Sequence, residues 1–238
     1  MGKAARTVVL VHGAWHGAWC WEHVIPRLDA ASVPIIAVDL PSVSHANATV
    51  HDDADYVRGA LDSISGDAVL VGHSYGGAVI GEAGVHPNVA HLVYLSAFAL
   101  EAGESAQDNA LTGGDGASDL GAAIRVEDSE SGEKVLTIAP EAAAPAFFHD
   151  CEPEIARAAI DRLRPQPLTA LRGKVNAAAW REKPATYVVC TDDRALPMPL
   201  QRSNAARIGG SIDWPTSHSP FLSRPELVAD LLIDLSSR

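Results

Sequence analysis

The sequence predicts an α/β protein: a mostly parallel central sheet of roughly six strands, with helices on both faces. Three observations carry this. Short β-branched runs recur along the chain, as in "TVVLVHG" from Thr7, "AVLVGHS" from Ala68 and "ATYVVCT" from Ala185. These runs are continuously apolar, as expected of strands buried on both faces, and do not alternate. Between them lie helical patterns with recognisable starts and stops. A chain of 238 residues supports one full core, folding with roughly 70–75% of its extended surface buried.

The elements follow in order. Val8 to Val11 form an apolar strand that stops abruptly at His12-Gly13. The loop beyond carries a second His-Gly pair, His16-Gly17, and tryptophans at 15, 19 and 21, so it is a structural knot or the floor of a site. "VPIIAVDL" from Val33 supplies the next strand. "HDDADYVRGALDSISG" reads as a helix with Asp52, Asp53 and Asp55 around its first turn and Gly66 after its last, as the helix dipole and a glycine stop favour. The three aspartates are read as solvated first-turn charges in preference to a metal cluster, since His51 is the only histidine beside them. Strands from Ala68 and His91 ("HLVYLSAF") follow.

Between Leu100 and Lys183 the rhythm breaks. "EAGESAQDNALTGGDGASDLGAA" has little apolar content and reads as a mobile excursion. "DCEPEIARAAIDRLRP" reads as a helix with Asp150 as its cap and Pro165 at its end. Residues 100–183 are therefore expected to form a mainly helical lid or cap, inserted into a core made of residues 1–99 and 184–238. After the strand from Ala185 and the short run "GGSIDW", "RPELVADLLIDL" opens with proline and repeats amphipathically, so it should close the sheet.

Composition narrows the function. The formal net charge of −12 disfavours nucleic acid, anionic lipid and strongly anionic substrates. No apolar run approaches the roughly 18 residues of a membrane span. The opening "MGKAAR" puts Arg6 where a myristoylation signal has Ser or Thr, and Val8–Val11 is too short for a signal-peptide core. A cytoplasmic location is expected. Cys20, Cys151 and Cys190 are odd in number and lack metal-type spacing, which points to free thiols.

The strongest chemical signal is Gly72-His73-Ser74-Tyr75-Gly76, a G-x-S-x-G motif directly after an apolar strand and before a helical pattern. The flanking glycines permit a tight strand-to-helix turn that strains the serine and exposes its hydroxyl. A serine hydroxyl needs a base and a group to orient that base, expected in the order Ser, acid, His. The base candidate is His218 in "WPTSHSPF"; its rival, His149, lies in the insert. Acid candidates at a strand end are Asp192 and Asp193, between which spacing does not choose. An oxyanion also requires two aimed donors. One is expected from the Tyr75 N–H and the other from Ala14 N–H in the early loop, with Gly13 forming the bend and Trp15, His16 and Trp19 walling or bracing the pocket. His12 and His73 are read as structural, hydrogen-bonded histidines.

At these residues the chain resembles the α/β-hydrolase superfamily, and more narrowly the branch that holds plant methyl-ester esterases, hydroxynitrile lyases and related bacterial serine esterases. "VLVHGAWHGAWCW", "AVDLP", "VLVGHSYGG", "VYLSAF", "YVVCTDDRALP" and the His218 loop fall in that family's order, while the stretch from Glu101 to Lys183 matches weakly. The resemblance implies Ser74 as nucleophile and His218 as base. It selects Asp193 through the pattern T-x-D before an apolar-Pro pair, and matches Ala14 and Tyr75 to the oxyanion hole. Lyase members carry Thr after the first His and Lys after the catalytic His; here those positions are Gly13 and Ser219. The expectation is a serine carboxylesterase acting on small, largely apolar esters without metal or organic cofactor, with Gly13, Trp15, His16, Phe147, Phe148 and Ser219 about the pocket and Leu163 and Leu168 also offered by the insert. A lyase-like acid–base enzyme and a small-molecule receptor on the same fold are the alternatives.

Overall fold

Five residues, Thr7–Val11, form β1, and every one of Val8 to Val11 is buried. A computed structural model of the chain describes residues 5–112 and 118–238. The first residues of "MGKAAR" and part of the excursion after Leu111 lie outside the described residues. β2 (Ile35–Val38), β3 (Ala68–His73) and β4 (Val89–Leu95) follow β1 in the sequence. Beyond the insert, β8 (Ala185–Cys190) and β9 (Ser211–Trp214) complete a six-stranded sheet of order β2-β1-β3-β4-β8-β9, in which every pairing is parallel. All six residues of β3 are buried, so both faces of the sheet are covered, which explains why its strands read as unbroken apolar runs. Helix Pro225–Ser236 packs on helix Ile25–Ala30, on β1 and on β3, as its closing role requires. Helices Val50–Asp62 and Gly76–Ala83 pack on each other.

The chain leaves β1 toward β2 on one side and returns through β3 on the other. A crevice opens outside the carboxyl ends of the strands at such a reversal. The loops after β1, β3, β4, β8 and β9 all emerge there, which brings residues far apart in sequence to one rim.

Among the described residues, the stretch 100–183 read as the insert carries more regular structure than its composition suggests. "EAGESAQDNALTGGDGASDLGAA" contains helices Ala106–Leu111 and Asp119–Ala123, capped by Ser105 and Ser118. The insert also carries a three-stranded antiparallel sheet of β5 (Ile124–Asp128), β6 (Lys134–Ile138) and β7 (Gln166–Pro167) beside its helices. Helix Pro153–Ile160 is capped by Glu152 with no side-chain hydrogen bond, not by Asp150. Asp150 accepts instead from Ser217 N at 2.8 Å. The capping position went elsewhere because Asp150 is held by the His218 loop, two residues too early to reach the helix.

The aspartate-rich helix corrects a second expectation. Asp52 forms a capping box with Thr49, accepting from Thr49 N at 2.8 Å while its own N–H donates to Thr49 Oγ1 at 3.3 Å. Asp55 pairs with Arg58 across one turn. Asp53 is not solvated; it is fully buried on the inner face with Val50, Ala54, Val57 and Leu61.

Candidate active site

β3 runs straight into the turn at Ser74 and out into helix Gly76–Ala83. The turn is tight because backbones touch there: a Cβ on Gly72 would sit 2.5 Å from Gly76 O, and one on Gly76 would sit 2.7 Å from His12 O. Ser74 is held at φ 53°, the left-handed region that a residue with a side chain rarely adopts. Its carbonyl accepts from Gly77 N and Phe98 N, and its N–H donates to Leu95 O at 3.3 Å. The strain is therefore fixed by neighbours on β4 and on the helix.

His218 follows β9 and Asp193 follows β8. His218 Nδ1 lies 2.7 Å from Asp193 Oδ2, with both side chains almost completely buried. The same carboxylate accepts from Ser96 Oγ and from Gln201 Nε2 at 3.1 Å, while its other oxygen accepts from Ala195 N at 2.7 Å and Leu196 N at 2.9 Å. Five donors thus fix the carboxylate, and a carboxylate that can only accept keeps the His218 proton on Nδ1, leaving Nε2 as an acceptor. Asp192 has no such contact; its N–H donates to Thr216 O, and its carbonyl accepts from His149 Nε2 at 2.8 Å. His149 of the insert accordingly braces the loop that carries Asp193.

Ser74, His218, Ala14 and Tyr75 line one cavity of about 200 Å³. Among the described residues, neither the Ala14 nor the Tyr75 amide donates to a protein acceptor. No hydrogen bond joins Ser74 Oγ to the imidazole; such contacts often tighten only once substrate is bound. The remaining walls are apolar apart from Gln107, with Trp15, Phe98, Leu136, Leu168, Leu171 and Leu196 prominent. Most of this apolar lining comes from the insert.

Several residues expected at the pocket lie behind it. His16 folds beneath its own loop because Nδ1 donates to Ala14 O at 2.8 Å. Its ring then packs against Trp19, His73, Phe147, Phe148 and Phe221, with centroids 5.5–6.0 Å away. Phe147 and Phe148 sit on a π turn, Ala144–Phe148, with Phe147 5.7 Å from the His218 ring. Phe147 supports the imidazole, Phe148 packs on Phe147 and His16, and neither lines the cavity. Gly13 and Ser219 are likewise absent from the lining, as are Trp19 and Leu163. Trp15 lines it and is clamped to the insert: its Nε1 donates to Leu136 O at 2.9 Å, and its carbonyl accepts from Arg164 N at 2.8 Å.

His12, His16 and His73 are neutral fixtures. His12 donates from Nδ1 to Gly13 O and accepts at Nε2 from Leu40 N; burial lowers it to about 4. Burial lowers His16 to about 3 and takes His73 well below the usual imidazole range. His73 Nε2 donates to His218 O at 2.8 Å, so the residue before the candidate nucleophile anchors the loop of the candidate base.

Sequence reasoning missed Ser96, Gln201 and Asp53. Ser96 follows β4 at φ 42°, and its hydroxyl donates to Asp193. Asp53 accepts from Ser42 N at 2.9 Å and from Tyr75 Oη at 2.7 Å. Burial pushes its carboxyl up to about 6, against hydrogen bonds that favour the ionised form.

The sequence profile of the Alpha/beta hydrolase family matches residues 8–231. An alpha/beta hydrolase of Aspergillus novofumigatus is 30% identical, with 94% of each chain covered. A pyrethroid hydrolase of Sphingobium wenxiniae is 29% identical, covering 96% of this chain and 87% of that one. The crystal structure of a pyrethroid hydrolase from Sphingobium faniae superposes with a TM-score of 0.78 at 25% identity, over 97% of each chain.

Proposed function

The chain belongs to the alpha/beta hydrolase family, and from that premise we propose that it is a serine esterase acting on small, largely apolar carboxylic esters. The observation that carries this reading is the convergence of Ser74 and the Asp193-bonded His218 on one apolar cavity. The pyrethroid hydrolase relative, which spans nearly the whole chain, supports the reaction class.

Ser74 Oγ attacks the acyl carbon while His218 Nε2 takes its proton, and Asp193 holds the imidazolium through Nδ1–H. The carbonyl oxygen becomes an oxyanion between the N–H groups of Ala14 and Tyr75, where losing one donor typically costs about 100- to 1000-fold in rate. His218 then gives its proton to the departing alkoxide, and an acyl ester remains on Ser74. Water, deprotonated by the same imidazole, attacks that ester and releases the acid. No step calls for a metal or an organic cofactor.

The insert acts as the lid in this reading. It supplies the apolar walls that set substrate shape, and its His149 and Asp150 brace the loops of the acid and the base. The net charge of −12 opposes substrates with several negative charges. Hydrolysis of p-nitrophenyl butyrate by wild type and by Ser74→Ala tests the proposal. Turnover that depends on Ser74 supports it, and equal rates reject it.

A further inference from the structure

Asp53 is an anomaly that ester cleavage does not use. It occupies the inner face of helix Val50–Asp62 among Val50, Ala54, Val57 and Leu61, fully buried, at a position where an apolar side chain would suit the packing. Among the described residues no Lys, Arg or His pairs with it. Its partners are Ser42 N and Tyr75 Oη. Tyr75 is the residue beside the nucleophile; it lines the cavity, and its hydroxyl donates to this carboxyl, which is not part of the cavity wall.

We propose that Asp53 is a positioning residue for the oxyanion hole, fixing the Tyr75 amide by holding the Tyr75 hydroxyl. This rests on the esterase reading above. The elbow is strained at Ser74, and a strained backbone persists only where its surroundings over-determine it. Backbone contacts hold the Ser74 side of the turn and the Tyr75 carbonyl, which accepts from Ala78 N at 2.9 Å; the Tyr75 side chain adds a tether from outside the elbow, at 2.7 Å, to a helix whose start is locked by the Thr49–Asp52 capping box. The other oxygen of Asp53 extends the restraint. Ser42, which it binds, lies two residues beyond Leu40; Leu40 N donates to His12 Nε2 at 3.0 Å, and His12 Nδ1 donates to Gly13 O at 2.8 Å. Gly13 precedes Ala14. One run of hydrogen bonds and short backbone segments therefore joins the two oxyanion donors through Asp53, and it sets their spacing.

Three variants test this. Tyr75→Phe keeps the ring and removes the hydroxyl. Displacing a donor costs less than losing it, so kcat on p-nitrophenyl butyrate should fall about tenfold, against the 100- to 1000-fold of outright loss, with KM changed less than about twofold. Affinity for an alkylboronic acid, whose tetrahedral adduct on Ser74 presents the oxyanion, should fall by the same factor, while butyrate binding stays level. Asp53→Leu should match Tyr75→Phe, and the double variant should be no worse than either single one. Asp53→Asn retains both contacts, because the amide oxygen accepts from Ser42 N and the amide nitrogen donates to Tyr75 Oη; it should recover kcat to within about threefold of wild type.

A merely structural role would lower melting temperature and leave kcat and boronate affinity of the folded protein unchanged, and that result in Tyr75→Phe overturns the proposal. If Asp53→Leu does not fold, Tyr75→Phe decides alone. Should wild-type turnover prove independent of Ser74, the esterase reading itself has failed. Should it depend on Ser74 yet ignore Tyr75→Phe, only the positioning role has.

Discussion

Replacing Gly13 with alanine adds one methyl group at the most crowded point of the candidate site. The new Cβ would lie 2.8 Å from His73 Nδ1, 2.9 Å from Ser74 Cβ and 3.2 Å from His73 O. Carbon atoms rest at about 3.5–4.0 Å, so the elbow must move by roughly 0.6 Å or more, and the group displaced carries the nucleophile. A misplacement of about 1 Å costs on the order of 100-fold in rate. Gly13→Ala should therefore lose about 10- to 100-fold in kcat/KM, equivalent to about 1.4–2.7 kcal/mol of transition-state stabilisation. Overpacking should also lower stability by about 1–3 kcal/mol. The assay pairs steady-state hydrolysis of p-nitrophenyl butyrate with urea unfolding. Gly59→Ala is the control, since its Cβ meets nothing within 4 Å on an exposed helix surface; it should keep wild-type turnover and gain up to about 1 kcal/mol in stability. Gly13→Ala with turnover within twofold of wild type would refute the crowding argument. The same contact shows why the threonine of the lyase branch does not fit here without rearrangement.

Two further outcomes follow from the site. Asp193→Asn should lower kcat by about 10³- to 10⁴-fold through loss of the correct imidazole tautomer, while Asp192→Asn stays within about threefold; a larger loss at Asp192 would move the acid. Stability should fall as pH drops from 6 to 4.5. In that window His12, at about 4, His16, at about 3, and His73, which burial takes well below the usual imidazole range, are neutral when folded but protonate when unfolded. Each adds a slope of about 1.4 kcal/mol per pH unit. Asp53, raised to about 6, has the opposite sign, because the folded state holds its proton where the unfolded chain does not. Three slopes against one leave a net loss of about 2.7 kcal/mol per pH unit. Unfolding midpoints in urea that are level or rise toward pH 4.5 would contradict this.

The central sheet was legible because strands buried on both faces need unbroken apolar runs, and Val8–Val11 and Val69–Val71 are such runs. The elbow was legible because its glycines answer a local backbone demand. The hairpin of the insert was not: four of the five β5 residues are exposed, so no burial pattern wrote itself into the composition. Asp53 was misread because three acids within four positions look like one solvated turn, and only Tyr75, 22 residues away, reveals which of them faces inward. His16, Phe147 and Phe148 were placed at the pocket from residue type. Their actual role depends on a local hydrogen bond and a π turn that spacing does not encode. Asp193 was separable from Asp192 only by resemblance, since the choice is made by Ser96, Gln201 and two amides converging from other elements.

The most direct test of the account is covalent labelling of the folded protein with a fluorophosphonate, read by intact mass and peptide mapping. The account predicts one adduct per chain, located on Ser74, with ester hydrolysis lost in step with labelling and no adduct on Ser74→Ala. Equal labelling of Ser74→Ala, or full hydrolysis by a protein already modified at Ser74, would contradict it.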